Sequence, residues 1–172
     1  MNELLILYLL TKSKTTMYGL SKVLNKNYGM ITKPGFGTLQ PALKRLEKQA
    51  YISSEKYFTE GGKPYFYYSI TSKGSEFFKK KMLEKSSVNP TQLVPLTKIK
   101  ICCSDILEIS EQQELYKNLK KTLLALKFDA ENFLNDSKES SNYSHRLVID
   151  GVVCEYNNLL SLVEGLERAS NS

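Results

Sequence analysis

The chain has 172 residues, 41% hydrophobic and 24% charged, which excludes a disordered polymer and leaves room for one large or two small globular domains. Its net charge of +6 is unevenly placed: residues 1–85 hold 15 Lys and Arg against 6 Asp and Glu, while residues 86–172 hold 9 against 12. A basic first half beside a mildly acidic second half suits the first half to a polyanion, the alternative being a lysine-rich solvated surface.

In chain order, Glu3–Lys12 is apolar on nearly every side, as in a helix buried among others. Its run Leu4–Leu10 is too short to span a bilayer and has no basic n-region or cleavage site, so a cytoplasmic protein without a membrane partner is expected. Thr15 or Thr16 offers a cap for a second helix with Met17, Leu20, Val23 and Leu24 at helical spacing, and Gly29 suits a left-handed exit. After the loop Pro34–Gly37, Thr38 can cap a third helix with Pro41 in its first turn. Leu39, Leu43 and Leu46 form its buried stripe, leaving Gln40, Lys44, Arg45 and Lys48 to solvent.

Tyr51–Thr59 and Tyr65–Ile70 then change the period to that of strands, joined by Glu60–Gly61–Gly62–Lys63–Pro64. The two glycines can supply the positive φ that a tight loop requires, and Pro64 marks the tip or an unpaired edge. Phe66, Tyr68 and Ile70 alternate onto a core-facing side, opposite Tyr65 and Tyr67. Aromatic residues interleaved with lysines also suit single-strand stacking, but core cover is the simpler reading. Thr71 or Ser72 caps a fourth helix to about Lys85, with Phe77, Phe78, Met82 and Leu83 as its apolar positions. Three helices, a hairpin and a helix make a winged helix-turn-helix domain over residues 1–85.

Ser86–Pro90 reads as a linker to a helical domain, residues 86–172. Leu115, Leu119, Leu123, Leu126, Ala130 and Phe133 recur at helical spacing over Glu111–Asn135. Ser137–Ser144 is a polar break, and a last helix carries Ile149, Val152, Val153, Tyr156, Leu159, Leu160, Val163 and Leu166. Two such stripes suggest a partner surface, the alternative being a self-contained helical hairpin. The dimer-interface candidates are Leu115, Leu119, Leu123, Leu126, Val152, Tyr156, Leu159, Val163 and Leu166. The fold class is thus mainly α with a small β-hairpin (α+β).

Catalytic and metal chemistry find little support. Cys102, Cys103 and Cys154 form no C-x-x-C spacing and read as small, partly buried thiols, with redox sensing by Cys102 and Cys103 as the alternative. His145 is the only histidine, and neither a Gly-rich phosphate loop after a strand nor G-x-S-x-G is present. No enzyme, metal or cofactor is expected. Double-stranded DNA is the expected partner: polar groups of a groove-borne helix read base edges, and lysines hold phosphates. Lys33 precedes that helix, and Lys56 and Lys63 decorate the hairpin.

These residues also resemble a known family. Gly37–Thr38–Leu39–Gln40–Pro41–Ala42–Leu43–Lys44–Arg45–Leu46–Glu47 resembles the G-T-L-Y-P-A-L-x-R-L-E of PadR-like transcriptional regulators. Gly61–Pro64 with Tyr67–Gly74 resembles their G-G-R-P-x-x-Y-Y-x-L-T-x-x-G, and Tyr18 with Leu20 resembles their G-Y-x-L. The second half is similar, more loosely, to the helical region of longer, virulence-activator-like members. The resemblance implies a homodimer that binds a palindromic operator, usually as a repressor, and in many members a small aromatic or hydrophobic effector that releases DNA. With it, the candidate DNA contacts are Tyr18, Lys33, Thr38, Gln40, Lys44, Arg45, Lys48, Lys63 and Tyr65. Gln40 departs from the usual tyrosine, and the absence of tryptophan departs from members that sandwich flat ligands between paired tryptophans. Two other functions fit a winged helix: a plasmid or phage replication or partition component, and a protein-interaction module without DNA binding.

Overall fold

A computed structural model describes residues 2–85, 89–136 and 142–170. The chain divides into two compact units, within residues 1–82 and 83–172.

In the first unit α1 (Asn2–Lys12) runs through the core, with Leu5, Ile6 and Leu7 fully buried. Its all-round apolar sequence is what a helix needs when α2, α3 and β3 all touch it. Thr15–Thr16 form a short strand, β1. The Thr16 hydroxyl then accepts the Gly19 N–H at 3.1 Å and caps α2 (Met17–Tyr28). Leu20 and Leu24 face the core, but Val23, expected beside them, is exposed. Gly29 keeps right-handed angles (φ −59°, ψ −21°), so the expected left-handed exit is not made. The chain turns instead on the Tyr28 carbonyl, which accepts from the N–H groups of Ile31 and Thr32.

The third helix, α3 (Phe36–Lys48), starts earlier than Thr38. Extended Gly35 lets its carbonyl accept from the N–H groups of both Thr38 and Leu39 at 3.0 Å, which closes the first turn before a threonine cap is needed. Pro41 consequently lies inside the helix, and its missing N–H leaves the Gly37 carbonyl facing solvent, where its loss is mild. At the other end the N–H of Tyr51 reaches the Leu46 carbonyl and that of Ala50 the Glu47 carbonyl, both at 2.9 Å. This is a Schellman stop, and Ala50 fills its left-handed position with φ 59°.

β2 (Ile52–Phe58) and β3 (Pro64–Ile70) form an antiparallel hairpin, with β1 on the far side of β3. The register pairs Ile52 with Ile70, Tyr57 with Tyr65 and Phe58 with Pro64, so Pro64 begins a strand. Of the two loop glycines only Gly62 takes a positive φ, 74°. Tyr68 and Ile70 are half-buried as expected, but Phe66 is exposed. The strands outrun the helices towards the tip, where β2 is exposed from Glu55 to Phe58.

Thr71 caps α4 (Ser72–Leu83), its hydroxyl accepting from Gly74 N–H at 3.0 Å while donating to the Ala50 carbonyl at 2.7 Å. A Cβ on Gly74 would overlap the Tyr51 carbonyl, so glycine is what lets α4 sit against the end of α3. Phe78 and Met82 enter the core, and Phe77 stacks on Tyr51 with ring centroids 4.0 Å apart.

In the second unit, α5 (Pro90–Cys102) begins at Asn89, whose side chain accepts the Thr91 N–H. It buries Leu93, Thr97, Ile99 and Lys100, and it was not foreseen from the sequence. A 3₁₀ turn (Ser104–Ile106) follows, with the Ser104 and Tyr116 hydroxyls bonded at 2.8 Å in the interior. α6 (Ile109–Asn135) opens with a reciprocal capping box between Glu108 and Glu111. Asn142 caps α7 (Tyr143–Ala169), so the chain is already helical at Tyr143, inside the expected polar break. Residues 86–88 of the expected linker and residues 137–141 of that break lie outside the described residues.

The two long helices are antiparallel: Lys120 pairs with Glu164 and Glu167, and Phe133 meets His145 at the other end. Leu115, Leu119, Leu123 and Leu126 of α6 are buried within the single chain, as are Tyr156, Leu159 and Val163 of α7, while Val152 and Leu166 are half-buried. Within the single chain these two stripes face each other. Each helix covers the other, α5 also contacts α7, and each leucine so buried contributes about 1.5–3 kcal/mol. The apolar side chains left exposed here are others, among them Leu124, Phe128, Leu147, Val148 and Leu162. Cys103 is buried, whereas Cys102 and Cys154 are exposed.

Candidate nucleic-acid interface

At 3.6 residues per turn, the buried positions Leu39, Ala42, Leu43 and Leu46 set the inner line of α3. The opposite line runs through Gly37, Pro41, Lys44 and Lys48, flanked by Gln40 on one side and Arg45 and Thr38 on the other. All of these are exposed, as the amphipathic pattern required. Lys44 and Lys48 make no ion pair among the described residues, so their ammonium groups stand free on the outermost line of the helix. Lys33 is exposed in the loop before α3.

Arg45 and Glu47 are differently placed. The Arg45 Nε donates to Glu3 Oε1 of α1 at 2.8 Å, and Glu47 accepts a short hydrogen bond from the Ser54 hydroxyl of β2. The two charged side chains around Leu46 thus tie α3 sideways to α1 and to the hairpin. The sequence pattern that exposed Arg45 to solvent carried no sign of this partner, because Glu3 lies forty-two residues away.

A second cluster forms where the start of α2 faces the hairpin. Tyr18, Lys63 and Tyr65 line a groove of about 410 Å³ together with Thr16, Met17, Pro64, Phe66 and Tyr68. Tyr18 is 69% exposed and Phe66 41%, an unusual display of rings for a hairpin that also covers a core. Phe66 and Met17 were missed by sequence reasoning, Phe66 because strand alternation assigned it to the core. Lys63 is held at the tip, its N–H bonded to the Thr59 hydroxyl at 3.1 Å and its carbonyl accepting from Thr59 N–H.

The outer hairpin face carries Tyr57, Tyr65 and Tyr67 as a ring cluster with centroids 5.4–5.9 Å apart. Glu55 accepts from the Tyr57 hydroxyl at 2.8 Å and pairs with Lys14 at 3.7 Å. That hydrogen bond, with the carboxylate charge beside it, raises the Tyr57 pKa. Lys56 lies over the Phe58 ring at 5.0 Å, a cation–π contact. Among the described residues no cluster of three or more His, Cys, Asp or Glu could hold a metal ion, and no helix is long and apolar enough to cross a membrane.

The site combines an exposed basic helix line with an amphipathic groove beside a basic loop tip, which is chemistry suited to a phosphodiester duplex. A search of curated proteins gives no match. Among solved structures, Bacillus subtilis PadR in complex with operator DNA is similar at 17% identity, covering 98% of each chain, with a TM-score of 0.48. A transcriptional regulator from Clostridium thermocellum shares 26% identity over 62% of this chain and 92% of its own, with a TM-score of 0.45. A PadR family regulator from Clostridium difficile shares 28% over 48% and 83%, with a TM-score of 0.41. Residues 6–80 match the model of the transcriptional regulator PadR-like family.

Proposed function

We propose that the protein is a sequence-specific DNA-binding regulator that represses transcription from a palindromic operator as a homodimer. The observation that carries this reading is the free lysine line of α3, Lys44 and Lys48, in a domain that holds 15 Lys and Arg against 6 Asp and Glu. In this reading α3 enters the major groove. Gln40 and Thr38 meet base edges, Lys33, Lys44 and Lys48 hold phosphates, and Tyr18, Lys63 and Tyr65 grip the flanking backbone through the α2–hairpin groove. Arg45 belongs to the same surface.

A single 13-residue helix reads only a few base pairs, so selectivity calls for two copies on an inverted repeat about 34 Å apart. Residues 1–85 serve as the DNA-binding part and residues 86–172 as the dimerisation part. With the inner stripes of α6 and α7 already covered, the exposed apolar residues Leu124, Phe128, Leu147, Val148 and Leu162 and the half-buried Val152 and Leu166 are the surface on which a second copy would pack. An effector of the small aromatic or hydrophobic kind fits the family. Selection of bound sequences from a random duplex library tests the reading: an inverted repeat with half-sites one helical turn apart supports it, and no enrichment refutes it.

A further inference from the structure

Among the candidate DNA contacts on α3, Arg45 is the one whose charged group is already engaged. Its Nε donates to Glu3 Oε1 at 2.8 Å, and both side chains stand at the surface, 61% and 35% exposed. Lys44 and Lys48, one position before and three after, have no such partner among the described residues. Glu3 sits in the first turn of α1, a helix fixed by the core, so its carboxylate is anchored beside α3. We propose that Glu3 is a positioning residue that withholds Arg45 from DNA, holding the guanidinium on the α1 side of the helix and limiting the protein's grip on phosphate.

The proposal rests on the DNA-binding reading and adds to it a built-in competitor. A guanidinium 2.8 Å from a carboxylate can reach a phosphate only by giving up that bond, so the net gain from Arg45 is the difference between two similar interactions. Arg45 is also off the centre of the outward line, which lets one rotamer serve α1 and another serve a duplex. Removing the Glu3 charge while keeping its shape should release the side chain.

The test is Glu3→Gln in the full-length protein, titrated with a selected duplex at several salt concentrations, with Arg45→Ala and the double variant alongside. Glu3→Gln should tighten binding about two- to fivefold, the range an exposed ion pair commands. The slope of log affinity against log salt should steepen by about 0.9, one phosphate contact. Both effects should shrink in the Arg45→Ala background to the part due to loss of a negative charge near DNA alone, which acts alike in both backgrounds and cancels from the comparison. Unchanged or weaker binding by Glu3→Gln, or an equal effect with and without Arg45, overturns the inference. If the wild-type chain binds no duplex, the DNA-binding reading falls and takes this inference with it. Matching far-UV dichroism of all four proteins confirms that the fold is retained.

Discussion

Ala50→Gly should stabilise the protein although it removes atoms and adds no contact. Ala50 is the residue after the C-cap of α3, at φ 59°, and its Cβ is exposed, so deletion of the methyl group leaves no cavity. A left-handed conformation costs an alanine about 1–2 kcal/mol relative to glycine. Against this, glycine raises the entropy of the unfolded chain by about 0.5–1 kcal/mol. The difference is a gain of about 0.5–1 kcal/mol, which for the first unit corresponds to a rise of roughly 3–6 °C in melting temperature. Urea unfolding followed by far-UV dichroism should show a higher midpoint with an unchanged slope, since the surface exposed on unfolding is the same. The hydrogen bonds of Ala50 N–H and carbonyl, to Glu47 and from Thr71, survive the change, so duplex affinity should not move. A midpoint equal to or below that of the wild type would refute the reasoning about this turn.

Gly74→Ala should act in the opposite direction, because the new Cβ meets the rigid backbone carbonyl of Tyr51. A loss of about 3 kcal/mol is expected, read as a lower midpoint in the same assay, and wild-type stability would contradict the packing of α4. Lys44→Ala and Lys63→Ala should each weaken duplex binding and make its salt dependence shallower by about 0.9, whereas Arg45→Ala should change the slope less. Unchanged slopes in both lysine variants would displace the interface from these residues. The Tyr57 phenol should ionise late: its pKa is raised by the Glu55 hydrogen bond, so the stabilisation is complete below the ordinary tyrosine value of roughly 10 and is lost as pH rises through the raised one. Ultraviolet titration of wild type minus Tyr57→Phe isolates this group, and a difference curve centred at or below the ordinary value would contradict the assigned hydrogen bond.

The order of elements in the first unit was legible because each boundary has local chemistry. Thr16 and Thr71 cap by side chain, Gly62 turns the hairpin, and the leucine stripe of α3 is strictly periodic. The start of α3 was misplaced because Thr38 looks like a cap. Nothing in the sequence says that Gly35 will be extended and will offer its carbonyl to two N–H groups. β1 could not be seen, since two residues form a strand only when β3 is there to pair with them. α5 was missed because its apolar residues follow no single face and Pro95 interrupts it, so its helical state depends on packing within its unit. For the interface, exposure of the α3 lysines could be read from periodicity. The pairing of Arg45 with Glu3 and the meeting of Tyr18 with Phe66 are products of tertiary placement.

The central claim is that the α3 line and the hairpin tip hold a duplex. Its most direct test is a mobility-shift titration on DNA upstream of the protein's own gene, run at 50 and 200 mM salt (about a fourfold change) with an unrelated duplex as competitor. The account predicts a specific complex that survives competitor and weakens steeply with salt, by about 3.5-fold for each phosphate contact between those two concentrations. Absence of any complex at the lower salt, or binding indifferent to salt and to sequence, would contradict it.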